Sequence, residues 1–130
     1  MYNKIIIKYI MSPIREFNKI YFDFLLFLQT HLNDVTFKTF YRKNIVMRET
    51  NPKIFIKTWN TSVTQKYYNE ISERNISFFL NKDYTTDLPD ALLLYMNKFK
   101  GIYESLGEII KTEFIDFMYE LTHLSFVYYK

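Results

Sequence analysis

Residues 12–32, SPIREFNKIYFDFLLFLQTHL, decide how the rest of the chain is read. Placed on a helix, Ile14, Phe17, Ile20, Tyr21, Phe24, Leu25 and Leu28 form one broad apolar face, and Phe22, Leu26 and Phe27 widen it. Arg15, Lys19, Asp23 and Thr30 make the only continuous polar stripe. A helix that is apolar around more than half of its circumference has to be covered on several sides. The stretch therefore predicts a central helix within a bundle, or one that also meets a partner chain. Ser12 stands as its N-cap, with Pro13 at the first helical position and Asn33-Asp34 as the stop.

The flanking sequence supplies further helices. Asp34 is suited to cap a second helix over residues 35–48, with Phe37, Phe40, Tyr41, Ile45 and Val46 as its apolar set. Asn51-Pro52 reads as another start, for a third helix over 52–67 that buries Phe55, Trp59 and Val63 at i, i+4 and i+8. Residues 68–80 continue helical with a break near Arg74-Asn75, and 81–87, NKDYTTD, form a loop. Asp87 caps a fourth helix reaching Lys100, where Gly101 ends or bends it. Ser105 and Glu108 have the spacing of a capping box. Behind them Leu106, Ile109, Ile110, Phe114, Phe117, Leu121, Leu124 and Tyr128 keep helical spacing for a fifth helix. The expected fold is all-α: an irregular single-domain bundle of about five helices over residues 12–130, preceded by an extended arm over residues 1–11.

The 130 residues suffice for one core, and 48% hydrophobic against 24% charged residues is ordinary for a globular chain. The choice of residues is less ordinary: 13 Phe and 12 Tyr beside a single alanine, Ala91, and 13 Lys against 4 Arg. All of these abundant residues have A/T-rich codons, so aromatics among lysines do not by themselves argue for a nucleic-acid surface. With no cysteine there is no disulfide, thiol nucleophile or thiolate metal site, which fits an intracellular setting. Residues 5–11 make a poor signal peptide, and no uncharged apolar run approaches the roughly 20 residues of a membrane span. Two glycines, Gly101 and Gly107, cannot build a phosphate loop or a dinucleotide fingerprint, and no serine lies in a nucleophile elbow.

His31 and His123 each sit near a helix end among apolar residues and read as core-margin residues rather than bases or ligands. Asp83, Asp87 and Asp90 are close in sequence, but they lack the alternating ligands and central glycine of a calcium loop, and capping accounts for Asp87. No catalytic residue, metal, cofactor or small-molecule substrate is expected.

Charge is the remaining signal. The net +3 divides into +7 over residues 1–66, from 11 Lys/Arg and 4 Asp/Glu, and −4 over 67–130, from 6 and 10. Lys38, Arg42, Lys43, Arg48, Lys53, Lys57 and Lys66 are opposed in their segment only by Glu49, and the pairs Lys38/Arg42 and Lys53/Lys57 each project from one helix face. Such halves attract each other between chains, or present a basic surface to acidic protein or to phosphates. The dominance of lysine argues against readout of bases, which favours the arginine fork. The expected function is a non-enzymatic protein-interaction or structural module, meeting a protein partner or further copies of itself, with nucleic-acid binding through residues 38–66 as the alternative.

Asn51-Pro52 with Phe55 and Trp59, then Val63, Tyr67 and Ile71, Ser77-Phe78-Phe79-Leu80 and Asp83-Tyr84, resemble small uncharacterised helical proteins encoded by nucleocytoplasmic large DNA viruses. With the helices on either side, the resemblance spans most of residues 14–125. It implies a viral origin, a place in the host-cell cytoplasm or the virion, and no catalytic residues.

Overall fold

The computed structural model describes residues 12–75 and 90–130, excepting the side chains of Asp90, Ala91 and Leu93. The arm over 1–11, the loop over 81–87, the Asp87 cap and the Asp83–Asp90 cluster lie outside the described residues. The fold is an all-α bundle with five helices and no strand among those residues. They are α1 (Pro13–Leu32), α2 (Phe37–Thr50), α3 (54–72), α4 (Asp90–Ile102) and α5 (Glu108–Tyr129).

Helix α1 takes the central place its composition requires. Phe17, Tyr21, Phe22, Phe24, Leu25, Phe27 and Leu28 are all buried, and α2, α3, α4 and α5 each pack against it. Ser12 caps it by accepting the Arg15 N–H at 3.2 Å, and Asn33 closes it in the left-handed region at φ 51°. The solvent-facing stripe is Arg15, Lys19, Asp23, Leu26 and Thr30, so Leu26 (45% exposed) joins the polar side rather than the apolar one. Its i+3 and i+4 spacing from Asp23 and Thr30 puts it there.

Aromatic rings carry the packing. Phe24 meets Trp59 edge-on at 6.3 Å and Phe117 at 5.5 Å, and Phe99 of α4 stacks on Phe114 of α5 at 4.5 Å. Tyr21 stacks on Phe55 at 4.9 Å. Such offset and edge contacts add about 0.5–1.5 kcal/mol each beyond the area they bury.

Helix α3 departs from regularity. Ile54–Trp59 is α-helical, Asn60–Thr64 is a π-helix, and Gln65–Ser72 resumes the α form through a kink at Tyr67 (φ −130°). The Gln65 N–H reaches back to the Asn60 carbonyl, the i→i+5 bond of the wide turn. Residues five apart then come close to one face, which lets both Trp59 and Thr64 look toward α5. The Trp59 indole N–H donates to Thr122 Oγ1 at 3.1 Å, Thr64 and Ser125 share a hydrogen bond, and the Ser125 hydroxyl donates to the Thr122 carbonyl at 3.1 Å. Arg74, at φ 58°, lies just past the end of α3 at Ser72, at the break expected near Arg74-Asn75.

Three sequence expectations fail locally. Helix α2 starts at Phe37, two residues late, although the Asp34 carboxylate still accepts the Thr36 N–H at 2.8 Å. Asn51 closes α2 and meets α3 only through its carbonyl, which accepts the Ile54 N–H at 3.2 Å; its side chain caps nothing. Ser105 lies in a 3₁₀ turn (Tyr103–Ser105) and donates to the Ile102 carbonyl at 2.6 Å, so no capping box forms and α5 begins after Gly107. Besides Leu26, three residues assigned to apolar faces are outside: Val46 at 62%, Ile109 at 76% and Tyr128 at 37% exposure.

Candidate functional site

The seven cations of residues 38–66 are distributed over three helices and their connections. Lys38 and Arg42 are exposed on the outer side of α2, two positions and about 200° of rotation from Phe40 and Asn44. Lys53 and Lys57 are exposed and stand in the same relation to Phe55 and Trp59 on α3. Lys66 is exposed beyond the π-helical turn. Arg48 is half-buried, its guanidinium 4.3 Å above the Phe22 ring centre, which engages its charge with the core margin. Lys43 alone among the seven lines the cleft described below. The i, i+4 pairs do share helix faces, but the seven do not line one groove. Lys38, Arg42, Lys43, Lys53 and Lys57 have no ion-pair partner among the described residues.

Lys38, Arg42 and Val46 form an outward stripe on α2, preceded by Val35, which is 86% exposed. The outer stripe of α5 runs Ile109, Glu113, Asp116, Glu120, His123 and Val127, with Val127 at 53% exposure. Asp116 is held by Arg74 at 2.5 Å, and the Arg74 guanidinium also lies 4.7 Å from the Tyr119 ring centre. Glu113 and Glu120 are exposed acids with no ion-pair partner among the described residues. Both stripes thus carry unpaired charge, of opposite sign, between exposed aliphatic ends.

A cleft of about 370 Å³ opens between α1, α2, α3 and α4. Phe40 and Met47 of α2, Ile54, Phe55 and Trp59 of α3, and Leu92 of α4 give it apolar walls. Its polar groups are few: Tyr21, Lys43, Asn44 and Thr58. The Asn44 amide donates to the Phe40 carbonyl at 2.7 Å, whereas the hydroxyls of Tyr21 and Thr58 have no hydrogen-bond partner among the described residues. Burial pushes the Tyr21 phenol well above its ordinary pKa, so it stays protonated. Nothing in the sequence flagged this cleft, because its existence depends on how far α2 stands from α3.

His31 is half-buried against Phe27 at 4.6 Å, and His123 is exposed and stacked on Tyr119 at 6.0 Å. Among the described residues no three His, Cys, Asp or Glu side chains gather as metal ligands do. None of the described helices is long and apolar enough to cross a membrane. Comparison with protein-family models, with curated proteins and with solved structures found no match.

Proposed function

We propose that this chain is a non-enzymatic protein-interaction module that associates with further copies of itself, the basic outer face of α2 in one copy meeting the acidic outer face of α5 in another. The observation that carries this reading is the pair of stripes: Lys38 and Arg42 between Val35 and Val46, and Glu113 and Glu120 between Ile109 and Val127, all four without an ion-pair partner among the described residues. Complementary fields of this kind steer encounter and fix orientation, and the aliphatic ends supply apolar area where the helices touch. A contact between unlike faces leaves one free face on each outer copy, so assembly continues into a ring or a filament. The resemblance to helical proteins of large DNA viruses supplies the setting we propose, a virion or its assembly machinery.

Sedimentation velocity tests the reading. Average mass should rise with protein concentration at low salt and fall as salt screens the exposed charges. Lys38→Glu with Arg42→Glu should give a monomer, as should Glu113→Lys with Glu120→Lys, and mixing the two variants should restore association. A wild-type chain that stays monomeric at millimolar concentration in low salt removes the proposal.

A second reading, nucleic-acid binding, is favoured by Lys38, Arg42, Lys43, Lys53 and Lys57, which have no ion-pair partner among the described residues. Its signature is an affinity for duplex DNA that falls with log salt at a slope of about −0.9 per phosphate neutralised. Reversing Lys38, Arg42, Lys53 and Lys57 to Glu should remove sub-micromolar binding at physiological salt if that reading holds.

A further inference from the structure

We infer that the cleft between α2 and α3 is a binding site for an amphiphilic monocarboxylate, with an aliphatic tail among Phe40, Met47, Phe55 and Trp59 and the carboxylate at Lys43. The inference is independent of the self-association proposed above, since Lys38 and Arg42 lie on the other side of α2.

Three observations converge on this ligand class. The first is size. At about 370 Å³ the cleft falls near the lower end of ligand pockets, which span about 300–1,000 Å³. At the packing density of protein interiors that space holds a chain of about ten carbons. The second is the lining, which is aromatic and aliphatic on three helices and interrupted at only four positions. The third is the character of the interruptions. Lys43 brings a positive charge that no acid among the described residues neutralises. The Tyr21 hydroxyl belongs to a residue only 6% exposed, yet it has no acceptor among the described residues. Thr58 likewise contributes a hydroxyl without a partner among the described residues.

A buried hydroxyl normally finds an acceptor, because leaving it unpaired carries the desolvation cost without the bond. Among the described residues only Asn18 Oδ1 is both sealed from solvent and unbonded, so the Tyr21 hydroxyl keeps an opening, and the space that Tyr21 lines is this cleft. A ligand that fits this lining offers negative charge to the Lys43 ammonium, acceptor oxygen to a hydroxyl of the cleft, and apolar surface to everything else. A carboxylate on an alkyl chain does so. A sugar or a free nucleotide would leave too many of its own polar groups against apolar walls.

Trp59 lines the cleft and is the only tryptophan, so its emission reports on occupancy without a label. Decanoate, kept below its micelle concentration, should change that emission saturably and raise the melting temperature by mass action. Decanol, with the same tail and no charge, should bind about tenfold more weakly, as should decanoate to Lys43→Gln. Lys43 is exposed, so this variant should fold as the wild type does. Emission that does not saturate, or a melting temperature that falls with decanoate, would overturn the site. Equal affinity for decanol and decanoate, with no effect of Lys43→Gln, would overturn the assignment of a carboxylate ligand.

Discussion

Trp59 has two sides, and the difference between them organises the molecule. Toward α5 its indole N–H meets Thr122, and the neighbouring hydroxyls of Thr64 and Ser125 bond to each other and to backbone. Every one of these polar groups is buried and matched. Toward α2 the same ring borders a space that Tyr21 and Thr58 also line, their hydroxyls without partners among the described residues. A matched polar network inside a core fixes one packing of its helices, because each group that lost its partner would carry a full desolvation cost. Unmatched groups in an open apolar cleft fix nothing within the chain and are free to recognise something else.

The largest effect expected from breaking this arrangement comes from removing the ring shared by both sides. Trp59→Ala should destabilise the fold by about 3–5 kcal/mol in urea titrations, since the side chain is 3% exposed and touches Phe17 and Phe24. A loss below 1 kcal/mol would mean that the seam does not depend on it.

Next comes the contrast between hydroxyls. Thr122→Val leaves the buried indole N–H without an acceptor and should cost about 1–3 kcal/mol. Thr58→Val removes a hydroxyl that bonds to nothing and should stay within about 0.5 kcal/mol of the wild type. Similar losses at both positions would erase the distinction between the matched and the open side.

A smaller, pH-dependent effect lies where α2 is tied to α4. Asp34 forms an ion pair with Lys98, and Thr36 hydrogen-bonds to Tyr95 at 2.9 Å across the same junction. The Lys98 ammonium, followed by the hydroxyl and N–H of Thr36, pulls the Asp34 carboxyl down from its ordinary 3.8 to about 2. A depressed carboxylate stabilises the fold above its unfolded pKa and ceases to do so as pH falls through the folded one. Melting temperature should therefore drop between about pH 4 and pH 2, and Asp34→Asn should remove that part of the drop. An identical profile for the variant would show that this pair does not hold α2.

The matched side was far more legible in the sequence than the open one. The ring of Phe and Leu on residues 12–32 has only one way to avoid water, so the central helix followed directly, and Trp59 joined the core because Phe55 and Val63 share its spacing. The π-helical turn at Asn60–Thr64 has no such signature, since NTSVT differs little from ordinary helical or loop sequence. Capping signals succeeded at Ser12 and failed at Ser105, whose hydroxyl finds the Ile102 carbonyl nearer than the start of α5. Val46 and Ile109 kept apolar spacing, but periodicity places a residue on a helix face without saying whether another helix covers it. For the same reason the pairs Lys38/Arg42 and Lys53/Lys57 were recognisable as local faces. The relation of those faces to each other, and the cleft between their helices, follows only from how the helices are spaced.

The contact between unlike faces can be observed directly, because the chain has no cysteine and accepts a single spin label at a chosen site. Thr112→Cys places that label on the exposed side of α5, one residue before Glu113. In a mixture of unlabelled chains carrying it with isotope-labelled wild-type chains, amide signals of Lys38, Arg42 and Val46 should broaden, and less so at high salt. Broadening confined to α5, or none at any concentration that NMR reaches, would contradict the association of α2 with α5 between copies.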